Sequence, residues 1–407
     1  MAFHVRCPHE ISAQILSFLT QHDLTSTSRV SRQLHEISQP LLYMEPCIIT
    51  GSKFPPPLYL FLRTLLTPGN ETISAHVRWL TVHWTDVQYN YSGQPDTEIT
   101  LFTLAASALG LPDPLTSGAA QVVLLLHLLP RLRILHVIPA HDRDKLDEFL
   151  SADNATPLGL QSLREFRWYS ADRRRGVSPT MLLTLLGLPS IRIIDVHMVT
   201  ELESLFPAPD AATLAMATSA ATHLEFSFGD ISTWTLSRIL KVPRALTHLT
   251  YRAISGNYSS LSEVADSLAP LRSTLQHLDL DLFRCIILLH HGAWQTETLG
   301  SFREWPVLRN VRCSLMALLG KGETRLADVL PRGLRALETV SDPFWTVEEA
   351  ACEVMAMLAR KHVMLPHLRT VAVHVDWSES QELVGRLGAA CTAAGVELVE
   401  GHAYPFV

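Results

Sequence analysis

Leu246-Thr-His-Leu249-Thr-Tyr251 and Leu275-Gln-His-Leu278-Asp-Leu280 are two copies of one phrase, apolar-x-x-apolar-x-apolar, 29 residues apart. The phrase first stands at Val77-Arg-Trp-Leu80-Thr-Val82, then at Leu132-Arg-Ile-Leu135-His-Val137 and Leu163-Arg-Glu-Phe166-Arg-Trp168. It continues at Ile191-Arg-Ile-Ile194-Asp-Val196 and Ala221-Thr-His-Leu224-Glu-Phe226, with later copies from Leu308, Leu334 and Leu368 and a weak last one at Ala393-Ala-Gly-Val396-Glu-Leu398. From Leu132 onward the copies begin 31, 28, 30, 25, 29, 33, 26, 34 and 25 residues apart. The last two apolar positions of the phrase are two apart, so they share one face of a strand while their neighbours point to the other. One face is buried and one is wet.

Between the phrases lie stretches with helical spacing: Ala119–Leu129, Thr180–Leu188, Thr233–Leu240, Leu261–Leu271 and Val347–Arg360. In the last, Val347, Ala351, Val354 and Leu358 form a one-sided apolar stripe. Pro130, Pro189, Pro243, Pro270 and Pro366 fall after helices and before strands, where proline stops a helix and favours extended chain. A strand and helix repeated about every 29 residues is at the upper edge of the leucine-rich-repeat range of about 20–29. The expected fold is an α/β leucine-rich-repeat solenoid over residues 76–407, with parallel strands on a concave face and helices outside, each unit covering its neighbour's apolar face. The 55-residue interval from Val77 to Leu132 leaves two options, a lost strand or an inserted loop over Asp86–Thr100.

The first fifty residues differ in character. Pro8–Leu19 carries Ile11, Ile15 and Leu19 at helical spacing, with Leu16 and Phe18 beside them. Pro8 suits a first turn and Glu10 the positive end of the helix dipole. Asp23 is expected to cap a second helix. Val30, Leu34, Ile37 and Leu41 mark a third, which Pro40 is expected to end. Three short helices in about 45 residues make a thin core that is marginal alone.

The run Cys7-Pro8-His9-Glu10-Ile11, followed by Ile15, Leu19, Asp23-Leu24 and Val30-Ser31-Arg32, resembles an F-box in order and spacing. Cys7 stands where leucine is usual in that family, and Leu34 takes the space of the usual tryptophan. The resemblance implies a three-helix F-box at residues 1–48, a linker helix within 49–75, and repeats thereafter. It further implies a substrate adaptor of a cullin–RING ubiquitin ligase, whose helices dock a Skp-type linker subunit and whose repeats hold a protein substrate. Carried over by position, Pro8, Ile11, Ile15, Leu19, Leu24 and Val30 would face or support that linker subunit. The alternative is a non-catalytic leucine-rich-repeat scaffold that recruits no ligase.

The third, fifth and seventh residues of each phrase point to the wet face. The candidate substrate-binding set drawn from them is Trp79; Glu165, Arg167 and Tyr169; His223 and Glu225; His248 and Arg252; His277 and Asp279; and Arg312. Ser227 and Ser314 are expected to point outward as well, and Trp168 and Phe226 inward. Trp79 and Tyr169 are the aromatic candidates, since such side chains dominate interface hot spots. His223, His248 and His277 would form a row on adjacent strands. That row reads as a generic polar face, a pH-sensitive strip with Glu225 and Asp279 favouring protonation, or a metal site. Adjacent rungs converge poorly on a tetrahedral ion, so no metal or cofactor is expected. Arg173-Arg174-Arg175 reads as a solvated loop or a contact for an acidic or phosphorylated peptide.

The 407 residues are 47% hydrophobic and 18% charged, with a formal charge of −7, a balance that excludes disorder and gives no global attraction to nucleic acid or anionic membrane. The start Met-Ala-Phe-His-Val-Arg lacks the apolar core of a secretory signal, and no apolar run approaches a membrane span. A cytoplasmic or nuclear chain is expected. The six cysteines lie at least 28 residues apart, against zinc knuckles and Cys-x-x-Cys redox motifs. Gly320-Lys321-Gly322 lacks the rest of a phosphate loop, His9-Glu10 has no second histidine in place, and His290-His291 is isolated. No enzymatic activity is expected.

Overall fold

The computed structural model describes residues 8–49, 57–84, 96–111, 118–139, 146, 158–170, 176–200, 219–253, 260–282, 297–340, 344–374 and 381–400. Cys7, Arg173–Arg175 and His290-His291 lie outside the described residues. The chain forms two compact units, one of Met1–Arg175 with Leu188–Ile191 and one of Gly176–Gly187 with Arg192–Val407.

The first unit begins with α1 (His9–Leu16), α2 (Gln21–Ser28) and α3 (Arg32–Met44). Pro8 occupies the N-cap position of α1, and the helix stops at Leu16, short of Leu19. Thr20, not Asp23, caps α2: its Oγ1 accepts from Asp23 N–H and donates to the Asp23 carboxylate. A threonine three residues earlier can reach the third N–H, whereas Asp23 already lies inside the turn. Ser31 caps α3 in the same way, on Leu34 N–H. Pro40 does not end α3 but sits within it. The helix continues because the residues after it are held on both sides, Leu41 and Leu42 by the bundle core and Tyr43 by the Phe61 ring, stacked at 6.3 Å.

From the end of α3 the backbone leads straight into a sheet. Met44 and Pro46 carbonyls accept from Arg78 and Thr81 N–H. Strand β1 (Cys47–Ile49) pairs in parallel with β2 (Trp79–Trp84), β2 with β3 (Ile134–Pro139), and β3 with β4 (Glu165–Trp168). β2 and β3 are therefore direct neighbours and no strand is lost between them. The chain between is used by α5 (Asp96–Ala108) and α6 (Gly118–Leu128) instead, so part of the stretch expected as a loop is helical. Helix α4 (Pro57–Leu66) buries Leu58, Tyr59, Leu62 and Leu65, with Tyr59 edge-on to Phe102 of α5 at 4.7 Å.

The second unit repeats strand and helix. Its strands are β5 (Ile193–Val196), β6 (Val199–Thr200), β7 (His223–Asp230), β8 (His248–Ala253), β9 (His277–Asp281), β10 (Asn310–Ser314), β11 (Ala336–Val340), β12 (Thr370–Val373) and β13 (Glu397–Glu400). Apart from β6, which extends the β5 side onto β7, they lie parallel in chain order. Intervening helices include α7 (Pro179–Leu186), α8 (Thr233–Leu240), α9 (Leu261–Leu268), α10 (Leu315–Leu319), α11 (Leu326–Val329), α12 (Val347–Ala359), α13 (Lys361–Met364) and α14 (Gln381–Ala394). The arrangement is α/β and solenoid-like, preceded by helices, as the phrase predicts.

Each phrase does two jobs. Its first residue is buried: Leu132, Leu163, Leu246, Leu275, Leu308 and Leu334 are fully inaccessible. Its second residue offers one carbonyl to two N–H groups of the next rung. Arg78 O accepts from Arg133 and Ile134, and Thr222 O from Thr247 and His248, all within 2.7–3.0 Å. The fork recurs at Arg133, Arg192, Thr247, Gln276, Arg309 and Arg335, so the rungs that follow these residues enter the sheet in the same way. A buried anchor followed by a forked carbonyl is why the spacing within the phrase stays fixed while the helices between vary in length.

Candidate functional site

In the second unit the phrase register brings His223, His248 and His277 directly opposite one another on β7, β8 and β9. Their rings stack face to face, with centroids 3.9 Å apart and planes within 14°. The Thr247 hydroxyl donates to Thr222 O at 3.0 Å, so its oxygen accepts at 2.8 Å from Nδ1–H of His248. Asn310 continues the row, its amide nitrogen 2.5 Å from Nδ1 of His277.

The stacking counts against the pH-sensitive strip, one of the three readings of the row. Burial pushes all three histidines below their ordinary value, neighbouring imidazoles add to this at His248 and His277, and His248 comes down to about 4. Glu225 and Asp279 do not favour protonation here, because Asp279 is committed to arginines. Burial, and then Asp195, raise the Glu225 carboxyl, which favours its neutral form. A group whose charged form is disfavoured by folding contributes stability that is complete above its unfolded value, near 6.5, and is lost as pH falls from there toward 4. An imidazole titration by NMR is expected to place the His248 midpoint near pH 4; a midpoint of 6 to 7 would contradict the stack. Among the described residues no group of histidine, cysteine and carboxylate side chains is arranged to hold a metal ion.

Beside the stack runs an alternating ionic chain, one residue per strand. Arg252 Nη2 meets Asp279 Oδ2 at 2.8 Å, and Asp279 Oδ1 meets Arg312 Nη1 at 2.7 Å. Arg312 Nε then meets Glu338 Oε1 at 2.7 Å, and His374 Nε2 lies 2.6 Å from the same oxygen. The His374 hydrogen bond and Arg312 hold the Glu338 carboxyl below the usual carboxylate range. Arg312 itself is raised by Asp279 and Glu338 against its burial.

In the first unit Trp79 packs edge-on against His136 at 5.2 Å, His136 Nε2 lies 3.6 Å from Glu165, and Glu165 pairs with Arg167 at 2.5 Å. Tyr169 hydrogen-bonds Arg167. Every wet-face candidate is therefore partly exposed on the side the phrase predicts, with Trp168 and Phe226 buried on the other. Two expectations fail. Ser227 is buried because β7 bulges there: Phe228 takes φ 63°, the register shifts before Gly229, and a side chain at Gly229 would meet the Tyr251 ring. Ser314 is buried because its hydroxyl caps α10 on Ala317 N–H.

The helical bundle of the first unit has a core of Leu16, Leu24 and Ile37, with Ala13, Leu19, Leu34, Leu41 and Leu42 packed around it. Ile11, Ile15, Phe18 and Val30 are left 47%, 57%, 83% and 72% exposed. Four large apolar side chains on so small a bundle are more than its own core uses.

Residues 6–49 match the F-box-like family. This stretch is an F-box-like domain. The family-derived set divides on its surface: Pro8, Ile11, Ile15 and Val30 are exposed, whereas Leu24 is core and Leu19 is half-buried against it. The F-box-like domain also exposes Phe18, which the positional carry-over misses; its place after a helix that ends at Leu16 is what turns it outward. The whole chain is similar to a chain in the crystal structure of the Rad7 and Elc1 complex in yeast. That alignment has 14% identity and TM-score 0.37, and covers 96% of this chain and 92% of that one. No curated protein matches the sequence. Among the described residues no helix is long and apolar enough to cross a membrane.

Proposed function

We propose that this chain is a substrate adaptor of a cullin–RING ubiquitin ligase, without a reaction of its own, acting in the cytoplasm or nucleus. The F-box-like domain docks a Skp-type linker subunit through Pro8, Ile11, Ile15, Phe18 and Val30, supported from below by Leu19 and Leu24. The wet faces of the repeats hold a protein client, through Trp79, Glu165, Arg167 and Tyr169 in the first unit and through the histidine and ionic rows from His223 to Arg312 in the second.

The observation that carries this reading is the exposed apolar set on the F-box-like domain. Removing each such side chain from water stabilises by about 1.5–3 kcal/mol, enough in sum to offset the cost of association. The stacked, neutral imidazoles and paired charges suit the client role. They are pre-ordered, so a bound peptide meets fixed donors and acceptors with little further loss of side-chain freedom.

Co-purification of the chain with a Skp-type subunit tests the proposal. A stoichiometric complex is expected. A chain that binds no linker subunit would be a repeat scaffold only, and the adaptor reading would fall.

A further inference from the structure

Three arginines stand at the second position of successive phrases in the first unit: Arg78, Arg133 and Arg164. The forked hydrogen bonds fix their backbones one strand apart, with Arg133 N–H on Arg78 O and Arg164 N–H on Arg133 O, both at 2.7 Å. Their side chains leave the amino-terminal edge of β2, β3 and β4 at a repeat of about 4.8 Å. Arg131, from the turn before β3, joins them, and its carbonyl lies 3.4 Å from Nη1 of Arg78. Together with Ser162 and Ser190 these four residues line a cleft of about 320 Å³.

Among the described residues, no carboxylate forms an ion pair with any of the four. Arginines at the same phrase position elsewhere have a structural use: Arg192 Nη1 donates to Ala220 O at 2.8 Å and Arg309 Nη1 to Gly333 O at 3.0 Å. Among the described residues Arg133 and Arg164 make no such side-chain bond. Their neighbours feel the resulting field, since Arg78 and His76 are both pushed below their ordinary values, first by burial and then by the adjacent guanidinium groups.

We propose that this cleft binds a small molecule carrying two or more phosphate groups. Guanidinium forks match phosphate oxygens in pairs, and the Ser190 hydroxyl adds a neutral donor, while that of Ser162 donates to Pro130 O at 3.3 Å. A cleft of about 320 Å³ has room for more than a single phosphate. Four like charges held within one or two strand spacings repel one another, and a polyanion relieves that repulsion where a neutral ligand would not.

Calorimetry on the full chain with inorganic pyrophosphate as the probe tests this. Pyrophosphate is expected to bind at least tenfold more tightly than orthophosphate or sulfate, and more weakly as salt rises. An Arg133→Gln, Arg164→Gln double variant is expected to lose at least tenfold in affinity while its unliganded Tm equals or exceeds that of the wild type. Arg386→Gln, an exposed charge change on α14, is expected to leave affinity unchanged. The proposal is overturned if pyrophosphate produces no heat and no Tm shift, or if the double variant binds as the wild type does. It is also overturned if Arg386→Gln weakens binding equally, or if a doubly phosphorylated serine peptide binds the cleft and pyrophosphate does not.

Discussion

Replacing Arg312 with alanine is expected to cost the second unit about 3 kcal/mol, one of the largest effects of any single polar substitution in the chain. Its side chain is only 12% exposed and bridges Asp279 on one side and Glu338 on the other. Removing the guanidinium leaves one carboxylate with Arg252 alone and the other with His374 alone, both in a partly desolvated row. Losing a partner from such a pair costs more than the pair contributes, because the remaining charge stays poorly solvated. The partial exposure of Glu338 holds the cost at the lower end of the buried-pair range. Urea unfolding reads the loss. A second substitution, Glu338→Gln, introduced into the Arg312→Ala chain is expected to restore part of it, since it removes one of the orphaned charges. A loss below about 0.5 kcal/mol would mean that the row is solvated and the ionic chain ornamental.

The second large effect concerns binding rather than stability. An Ile11→Asp, Ile15→Asp double variant is expected to weaken association with a Skp-type linker subunit by at least a thousandfold, about 4 kcal/mol. Two apolar contacts worth about 1.5–3 kcal/mol each are removed, and two carboxylates are added where water must be excluded. Both side chains lie outside the Leu16, Leu24 and Ile37 core, so helicity and Tm should stay within experimental error of the wild type. A matching pair of substitutions at Leu16 and Leu24 would unfold the bundle and could not make this distinction. Retained binding in the folded double variant would move the docking surface elsewhere.

Much of the fold is legible in the sequence because the phrase imposes constraints that helices cannot satisfy. Two apolar residues at a spacing of two, preceded three earlier by a buried anchor, fit only a strand that enters from a turn. What the phrase does not mark is less visible. Cys47-Ile48-Ile49 forms the edge strand β1 with no anchor before it, because its register comes from Pro46 and Met44 carbonyls instead. The long interval before Leu132 reads equally as a missing strand or a loop, and helices α5 and α6 lie within it.

The site is legible in position and less so in chemistry. Alternation places His223, His248 and His277 in one row, yet the direction of their titration depends on ring stacking, which a sequence does not display. Asp279, which would favour protonation, is drawn diagonally to Arg252, two residues further along β8, and straight across to Arg312, while Glu225 accepts from the Ser227 hydroxyl. In the bundle, Leu24 and Val30 are alike in a hydropathy pattern; only the packing of α2 on α3 sends one inside and the other out. The arginine cleft is written plainly as Val77-Arg, Leu132-Arg and Leu163-Arg, but the same dipeptide at Leu308-Arg serves a carbonyl. Sequence alone does not separate the two uses.

Amide hydrogen exchange on the full chain, with and without a purified Skp-type subunit, tests the adaptor account at its root. Slowed exchange confined to the helices between His9 and Val30, with the strands from β7 to β12 unchanged and open to a client, is the predicted outcome. Unaltered exchange in those helices, or protection that falls on the strands instead, would contradict it.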